Sequence, residues 1–132
     1  MPTKDRHIDK DSNVAKQIIV IPLVTAISQT SVVAFSYLPG YAFKLLRVRS
    51  YCRIKAGTLT AQPKISTRAC TAAAVVFTTA TEVNAALSAT AANNKGSASE
   101  VITLEYTSDG SGVLTNGVVI LEIRPTGLRG DG

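Results

Sequence analysis

The sequence predicts a single all-β domain of the sandwich or barrel type. From Lys16 onward, short runs rich in Val, Ile and Thr alternate with turn residues at intervals of about ten residues, as in sandwiches and barrels. The length of 132 residues fits one ordinary domain. A chain of this size buries roughly two thirds of the surface that its unfolded form exposes, so it can fold without disulfides or a metal. We place the domain at residues 16–126.

Residues 1–15 are predicted to form a flexible, polar N-terminal arm. Both signs of charge are mixed there with almost no apolar side chains, so the segment alone would bury too little surface to become ordered. The arm is either a disordered terminus or a strap that orders on a neighbouring subunit. It contains His7, the single histidine of the chain. Residues 127–132 are predicted to be a loose tail, and we interpret the Arg-Gly-Asp triplet within it as a chance match.

Two strands and a turn are predicted at the start of the domain. The first strand is QIIVIPLV, residues 17–24. Pro22 places it at a sheet edge or at a bulge, because proline donates no hydrogen bond to a neighbouring strand. The second strand is TSVVAFSY, residues 30–37. The Leu-Pro-Gly sequence at 38–40 predicts a tight turn and a sheet corner, because proline fixes φ and glycine permits a positive φ.

Residues 43–57, FKLLRVRSYCRIKAG, carry the most informative pattern. The residues of one parity are apolar, namely Leu46, Val48, Cys52 and Ile54. The residues of the other parity are four cations and a tyrosine, namely Arg47, Arg49, Tyr51, Arg53 and Lys55. Successive strand side chains point to opposite faces, so the apolar set is predicted to enter the core and the other set to face outward. The outward face is either an ordinary solvated surface or a contact with an acidic surface, because uncomplemented like charges repel.

The middle of the chain is poor in charge. TLTAQPKIST (58–67) is predicted to be a strand with an irregularity at Pro63, and ACTAAAVVFTTA (69–80) is predicted to be another strand. Residues 81–94 fit either one helical turn or a loop. Their apolar residues have the spacing of a helical face, whereas their Ala, Ser, Thr and Asn content suits a loop.

The last part of the domain is predicted to be an antiparallel hairpin. Residues 99–108 and 117–125 both alternate apolar and polar side chains. Residues 109–117 between them are rich in Gly, Asn and Asp, which suit positive φ at the tip of a hairpin. The DGSG sequence within this tip lacks the repeated acidic ligands of a calcium loop, so we interpret it as a turn.

No catalytic motif is present in the sequence. It contains no GxSxG elbow, no GxxxxGK[ST] phosphate loop, no HExxH and no GxGxxG. Glu105 and Glu122 are the only carboxylates predicted to meet, across the terminal hairpin, and few aromatic residues are available to line a cleft. We therefore predict that the protein is not an enzyme.

The two cysteines, Cys52 and Cys70, are predicted to be buried free thiols. Neither lies in a CxxC or a His-rich cluster of the kind that holds zinc. A disulfide between neighbouring strands is the alternative, since the sequence does not give the distance between their Cβ atoms. We expect no metal and no other cofactor.

The charge balance favours acidic partners. Fourteen Lys and Arg residues against nine Asp and Glu give a formal net charge of +5. Aromatic residues make up only 5% of the chain and Trp is absent, which argues against nucleic-acid binding. No apolar run approaches the roughly 20 residues that span a bilayer, and residues 1–12 are too polar for a secretory signal. We expect neither a membrane nor a small-molecule substrate as a partner.

The chain resembles the small decoration, or cement, proteins on the heads of tailed bacteriophages. The resemblance begins with the polar arm, the IIVIPLV strand that ends in a bulge and the SVVAF strand that leads into a Pro-Gly corner. It continues through LLRVRSYCRIKAGTLTAQPKI, an Ala/Thr-rich middle and the segments VITLEYTSDGSG and TNGVVILEIRP.

The resemblance implies a β-sandwich, jelly-roll-like domain that forms a homotrimer on the outside of the virion. It implies a structural role, in which the protein is made in the host cytoplasm and then binds and stabilises the capsid where subunits of the major capsid protein meet. Capsid surfaces are commonly acidic, so the arm and the basic sheet face are the expected contacts. These contact residues are Lys4, Arg6, Lys10, Arg47, Arg49, Tyr51, Arg53 and Lys55.

Two other functions stay open from the sequence. One is a different virion component, such as a head fibre base or a tail part, built on the same sandwich. The other is a nucleic-acid-binding β-barrel that uses Tyr51 among the cations of its strand.

Overall fold

The chain folds as an all-β protein, as its sequence predicts. The computed structural model describes residues 16–23, 26–27, 32–109 and 111–126. Within these ranges the strands are β1 (Gln17–Pro22), β2 (Ala26–Ile27), β3 (Val32–Tyr37), β4 (Phe43–Tyr51), β5 (Ile54–Ala56), β6 (Leu59–Ile65), β7 (Arg68–Ala69), β8 (Val83–Ala85), β9 (Lys95–Gly96), β10 (Ile102–Ser108), β11 (Gly112–Thr115) and β12 (Val118–Pro125). A 3₁₀ turn, η1 (Ala91–Asn94), precedes β9. The predicted arm and tail lie outside the described residues, as do His7 and the Arg-Gly-Asp triplet.

The strands form three antiparallel sheets in the described part of the chain. The first sheet has the order β1-β12-β4-β8, and β9 also pairs with β4. The second sheet has the order β3-β10-β6-β7, and the small third sheet has the order β2-β11-β5. The inner faces of the first two sheets contribute to one buried cluster, which gives the fold its sandwich-like character.

Period-two alternation builds this core. In β10 and β6 every second side chain is buried, and in β12 Val119, Leu121 and Ile123 are buried. The largest fully buried side chains of the core are Tyr106, Phe43, Phe77, Leu45, Leu59, Ile65, Ile102, Leu104, Leu114, Leu121, Ile123 and Val48. Each such apolar side chain contributes about 1.5–3 kcal/mol relative to an exposed position.

The turn at residues 38–40 is a sheet corner, as predicted. Gly40 has a φ of +84°, which its missing Cβ permits. The chain passes there from β3 in the second sheet to β4 in the first. Pro22 is the last residue of β1, which lies at the edge of its sheet among the described strands, so the edge prediction is also confirmed.

The prediction of a terminal hairpin is wrong. Strand β10 lies in the second sheet and β12 lies in the first, so the two alternating runs do not pair with each other. The linker between them is long enough to contain β11, which pairs with β2 and β5 in the third sheet. Glu105 and Glu122 consequently do not meet. The carboxylate of Glu105 lies 3.1 Å from the Nζ of Lys64, whereas Glu122 binds cations of the first sheet.

A β-bulge in β4 changes the predicted parity of residues 43–57. Glu122 lies opposite Arg47 and Ile123 lies opposite Leu45, so Leu46 is an extra residue between the two pairs. Phe43 and Leu45 are buried before the bulge, and Val48 is buried after it.

Two of the four residues predicted for the core on this segment are therefore misplaced. Leu46 is only half-buried at the bulge. Ile54, which lies beyond the end of β4 in the third sheet, is 46% exposed. The other two, Val48 and Cys52, are buried as predicted.

The middle of the chain is less regular than predicted. Residues 69–80 contain the end of β7 followed by isolated bridges, although Val75 and Phe77 are buried within them. Residues 81–94 form the short strand β8 and then η1, so the helical turn is of the 3₁₀ type and comes at the end of the segment.

Pro63 causes no irregularity in β6, which is contrary to the prediction. The register between β6 and β10 is continuous through it. Its carbonyl oxygen accepts a hydrogen bond from Cys70 N at 3.0 Å, on the side away from β10. The N and C=O of one strand residue point to the same side, so the missing N–H also lies on that side and breaks no bond to β10.

Candidate functional site

The candidate site is the outward surface of the first sheet, which we call the outer face. Its residues alternate with buried ones along β1, β12 and β4 and lie opposite one another in the register of these strands. The outer face consists of Ile18, Val20, Lys44, Arg47, Arg49, Tyr51, Asn84, Lys95, Val118, Ile120, Glu122 and Arg124.

Glu122 is the centre of a charge cluster on this face. It is only 6% exposed, and a carboxylate so buried requires cationic or hydrogen-bonding partners. Its oxygens lie 3.2 Å from Arg49 Nη2, 3.4 Å from Lys16 Nζ and 3.9 Å from Arg47 Nη1. One carboxylate thus offsets part of the charge of three cations.

Two residues of β8 and its N-terminal flank extend the cluster. Arg49 reaches Glu82 with its other terminal nitrogen, at 3.2 Å. The Nε of Arg47 donates a hydrogen bond to Asn84 Oδ1 at 3.0 Å. Glu122, Glu82 and Asn84 of the same chain therefore offset the repulsion expected between Arg47 and Arg49.

The remaining predicted contact residues are divided between sheets. Tyr51 is half-buried at the end of β4, on the outer face opposite Val118. Arg53 follows β4 and donates from Nε to Asn116 Oδ1 at 3.2 Å. Lys55 lies in β5 of the third sheet. Neither Arg53 nor Lys55 forms an ion pair with a carboxylate of the described residues. Lys4, Arg6 and Lys10 lie outside the described part of the chain.

The structure adds cations to the outer face that the sequence pattern does not reveal. Arg124, Lys44 and Lys95 lie directly opposite one another on β12, β4 and β9. Uninterrupted alternation from Arg47 would turn Lys44 inward, so the bulge at Leu46 is what brings it to the outer face. Only the pairing of β9 with β4 places Lys95 beside Lys44.

The outer face also has an apolar edge. Ile18 and Val20 on β1 are 55% and 57% exposed. Val20 lies opposite Ile120, which in turn lies opposite Arg49. The signal for this edge is present in QIIVIP, where residues of both parities are apolar, so either orientation of the strand exposes apolar side chains.

No group of three or more His, Cys, Asp or Glu residues that could hold a metal ion is found among the described residues. Cys52 and Cys70 are both buried and free, which confirms the thiol prediction. Burial raises the pKa of Cys70 to about 12, so its thiol stays protonated and unreactive at neutral pH.

No protein-family model, no curated protein and no solved structure matches the chain. No helix in the described ranges is long and apolar enough to cross a membrane. A functional assignment therefore depends on the outer face and on the sequence pattern.

Proposed function

We propose that this protein is a structural component of a virion, which binds the outside of a phage capsid as a decoration or cement protein. The observation that carries the proposal is the outer face, where exposed apolar side chains lie beside several cationic side chains. Together with the sequence resemblance, this surface favours a role in binding a large, acidic protein assembly.

The layout of the outer face suits a protein contact. Protein interfaces combine an apolar centre with a polar rim. Ile18 and Val20 supply exposed apolar surface on the edge strand, and Val118 and Ile120 extend it onto β12. Arg47 and Arg49 border this apolar area on β4. An acidic capsid surface would complement the cations while covering the apolar edge.

The rest of the fold supplies the rigidity that such a role needs. Strand β4 is bonded on one side to β12 and on the other to β8 and β9. Its inward side chains Phe43 and Val48 are fully buried. A surface held this firmly binds with little ordering of its own backbone, which favours affinity.

Capsid heads stripped of their decoration provide the test. The purified protein is added to such heads and the bound fraction is measured by sedimentation. We expect wild-type protein to bind, and Val20→Asp to bind about tenfold more weakly, because it places a carboxylate in the apolar edge. Failure of the wild-type protein to bind heads would contradict the proposed function.

Val33→Asp is the matched control. Val33 is also 57% exposed and also lies on an edge strand, but that strand is β3 of the second sheet. We expect Val33→Asp to bind heads like the wild type. Reversal of Arg49 is a poorer test, because it would leave the buried Glu122 without its closest cation.

We also propose that the protein acts as a homotrimer, as the resemblance implies. The many Ala, Ser and Thr residues of the chain permit close packing between subunits. Analytical ultracentrifugation at micromolar concentration should reveal a species three times the 13.9 kDa mass of the chain. A single species of 13.9 kDa would contradict the trimer.

A further inference from the structure

Three cations lie in one row across the first sheet, at the end of the outer face away from Tyr51. Arg124 on β12 is directly opposite Lys44 on β4, and Lys44 is directly opposite Lys95 on β9. Residues directly opposite each other in an antiparallel pair share a face, and neighbouring strands are about 4.8 Å apart. We call the two lysines of this line, Lys44 and Lys95, the basic row.

Like charges placed directly opposite across strands destabilise a sheet. Elsewhere on the outer face this repulsion is removed, because Glu122 and Glu82 bind Arg47 and Arg49. Among the described residues, the side chains of Lys44 and Lys95 form no ion pair. The cations of the same face therefore differ, because Arg47 and Arg49 have carboxylate partners, whereas Lys44 and Lys95 have none among the described residues.

A further carboxylate, that of Glu100, already has a cationic partner. Glu100 is bound by Arg68 in a bidentate pair with distances of 2.8 and 3.2 Å, and Arg68 Nη2 also donates to the carbonyl oxygen of Lys95 at 2.7 Å. Arg68 therefore pairs with Glu100, and its hydrogen bond to β9 goes to the backbone carbonyl of Lys95. The ammonium group of Lys95 gains no carboxylate from this arrangement.

We propose that the basic row is a binding site for an acidic protein surface, with carboxylates that bind Lys44 and Lys95. The inference rests on the proposed function in identifying the capsid as that surface. A protein partner fits better than a nucleic acid, because single-stranded nucleic acids bind through stacking aromatics among the cations. The aromatic residue of the outer face, Tyr51, is seven residues from Lys44 along β4, roughly 20 Å away.

A fluorescently labelled poly-glutamate peptide is the first probe. Its affinity for the full chain is measured by fluorescence anisotropy at about 10 mM salt, where charges act over roughly 30 Å. We expect Lys44→Gln and Lys95→Gln each to weaken binding several-fold, and the double variant to weaken it about tenfold. Equal affinity of the double variant and the wild type would overturn the proposal.

Lys64→Gln is the control with the same change of charge. Lys64 is half-buried like Lys44, but it lies on the second sheet and pairs with Glu105. We expect it to retain the affinity of the wild type for poly-glutamate. Equal losses in Lys64→Gln and Lys44→Gln would show that only net charge matters, which would also overturn the proposal.

A single-stranded oligonucleotide of thymidines serves as the second probe. We expect the oligonucleotide to bind more weakly than poly-glutamate. Lys44→Gln should not selectively weaken the binding of the oligonucleotide. Tighter binding of the oligonucleotide, with that binding lost in Lys44→Gln, would assign the row to nucleic acid and contradict the proposal.

Thermal unfolding separates the site from a structural role. Lys44→Gln removes one of two like charges that lie directly opposite each other on β4 and β9, so we expect its Tm to equal or exceed that of the wild type. A lowered Tm would show that Lys44 stabilises the sheet, and the premise of an uncompensated row would be wrong.

The two proposals fail in distinguishable ways. If the wild type binds poly-glutamate through the row but does not bind stripped heads, the capsid function is wrong and the acidic-protein site stands. If the wild type decorates heads while the double variant binds poly-glutamate normally, the function stands and the row is wrong.

Discussion

Glu122 illustrates how one buried carboxylate offsets part of the positive charge on a sheet surface. It lies on the outer face of the first sheet and yet is almost fully covered, because Lys16, Arg47 and Arg49 surround its carboxylate. Removing one partner of a buried ion pair leaves an uncompensated charge and destabilises strongly. Arg49 therefore has a structural role, whereas Lys44 and Lys95 carry charges that the described chain leaves available.

Gly96 is a residue whose substitution should destabilise the fold without changing its charge. A Cβ at this position would overlap the ring of Phe43, which is fully buried and cannot move aside. Gly96→Ala should lower the free energy of unfolding by about 1–3 kcal/mol, the usual effect of overpacking a core. Chemical denaturation monitored by circular dichroism measures this change.

A second variant identifies the cause of that loss. Phe43→Leu in the Gly96→Ala background removes the ring that the new methyl group would meet. The two substitutions should therefore be less destabilising together than the sum of their separate effects, since residues in contact are coupled. Strict additivity, or a Gly96→Ala variant as stable as the wild type, would mean that the close packing of β9 on β4 is wrong.

At the scale of single elements, the bulge in β4 explains what the sequence predicted and what it missed. Alternation after Leu46 correctly predicts that Val48 is inside and that Arg47 and Arg49 are outside. No feature of FKLLRVRSY marks the extra residue, because both Leu45 and Leu46 are apolar. The bulge becomes visible only through the pairing of β4 with β12, and Lys44 was missed for this reason.

The contact between β7 and the turn before β10 should depend on pH. Hydrogen bonds from Arg68, from the backbone N of Ser97 and from the hydroxyl of Ser66 lower the pKa of Glu100 from 4.5 to about 2. A lowered folded-state pKa means that the stabilisation is complete above about pH 4.5 and is lost as the pH falls towards 2. Unfolding measured by denaturant titration should show this loss over that range.

Glu100→Gln supplies the comparison for this acid titration. The amide cannot titrate, so the variant should lose less stability than the wild type between pH 4.5 and 2. At pH 7 it should be less stable than the wild type, because the bidentate pair with Arg68 is lost. Parallel pH profiles for the two proteins would contradict the assignment of the lowered pKa to this contact.

At the scale of the whole molecule, composition and periodicity predicted the fold class but not the connectivity. The runs ITLEYTS and VVILEIRP are strands, as their alternation indicates, and both have one buried face. Alternation does not say which sheet receives a strand. The segment between them contains β11, whose pairing with β2 and β5 is a long-range contact, so the local turn residues misleadingly favoured a hairpin.

The same limit applies to the candidate site. The sequence correctly predicted that Arg47, Arg49 and Tyr51 lie together on one sheet face. It did not predict the acidic partners of the two arginines, because Glu82 and Glu122 are distant along the chain and reach them only through sheet pairing. Nor did it predict that Lys55 leaves the face for the third sheet.

Lysine acetylation of the wild-type protein, free and bound to stripped capsid heads, tests most directly whether the outer face is the contact surface. Mass spectrometry gives the extent of modification at each lysine in both states. We predict that Lys44 and Lys95 are modified much less in the bound state, because in the proposed complex the capsid covers the outer face. Lys64, on the second sheet, should react equally in both states. Equal modification of Lys44 and Lys95 in both states, or protection of Lys64 instead, would contradict the account.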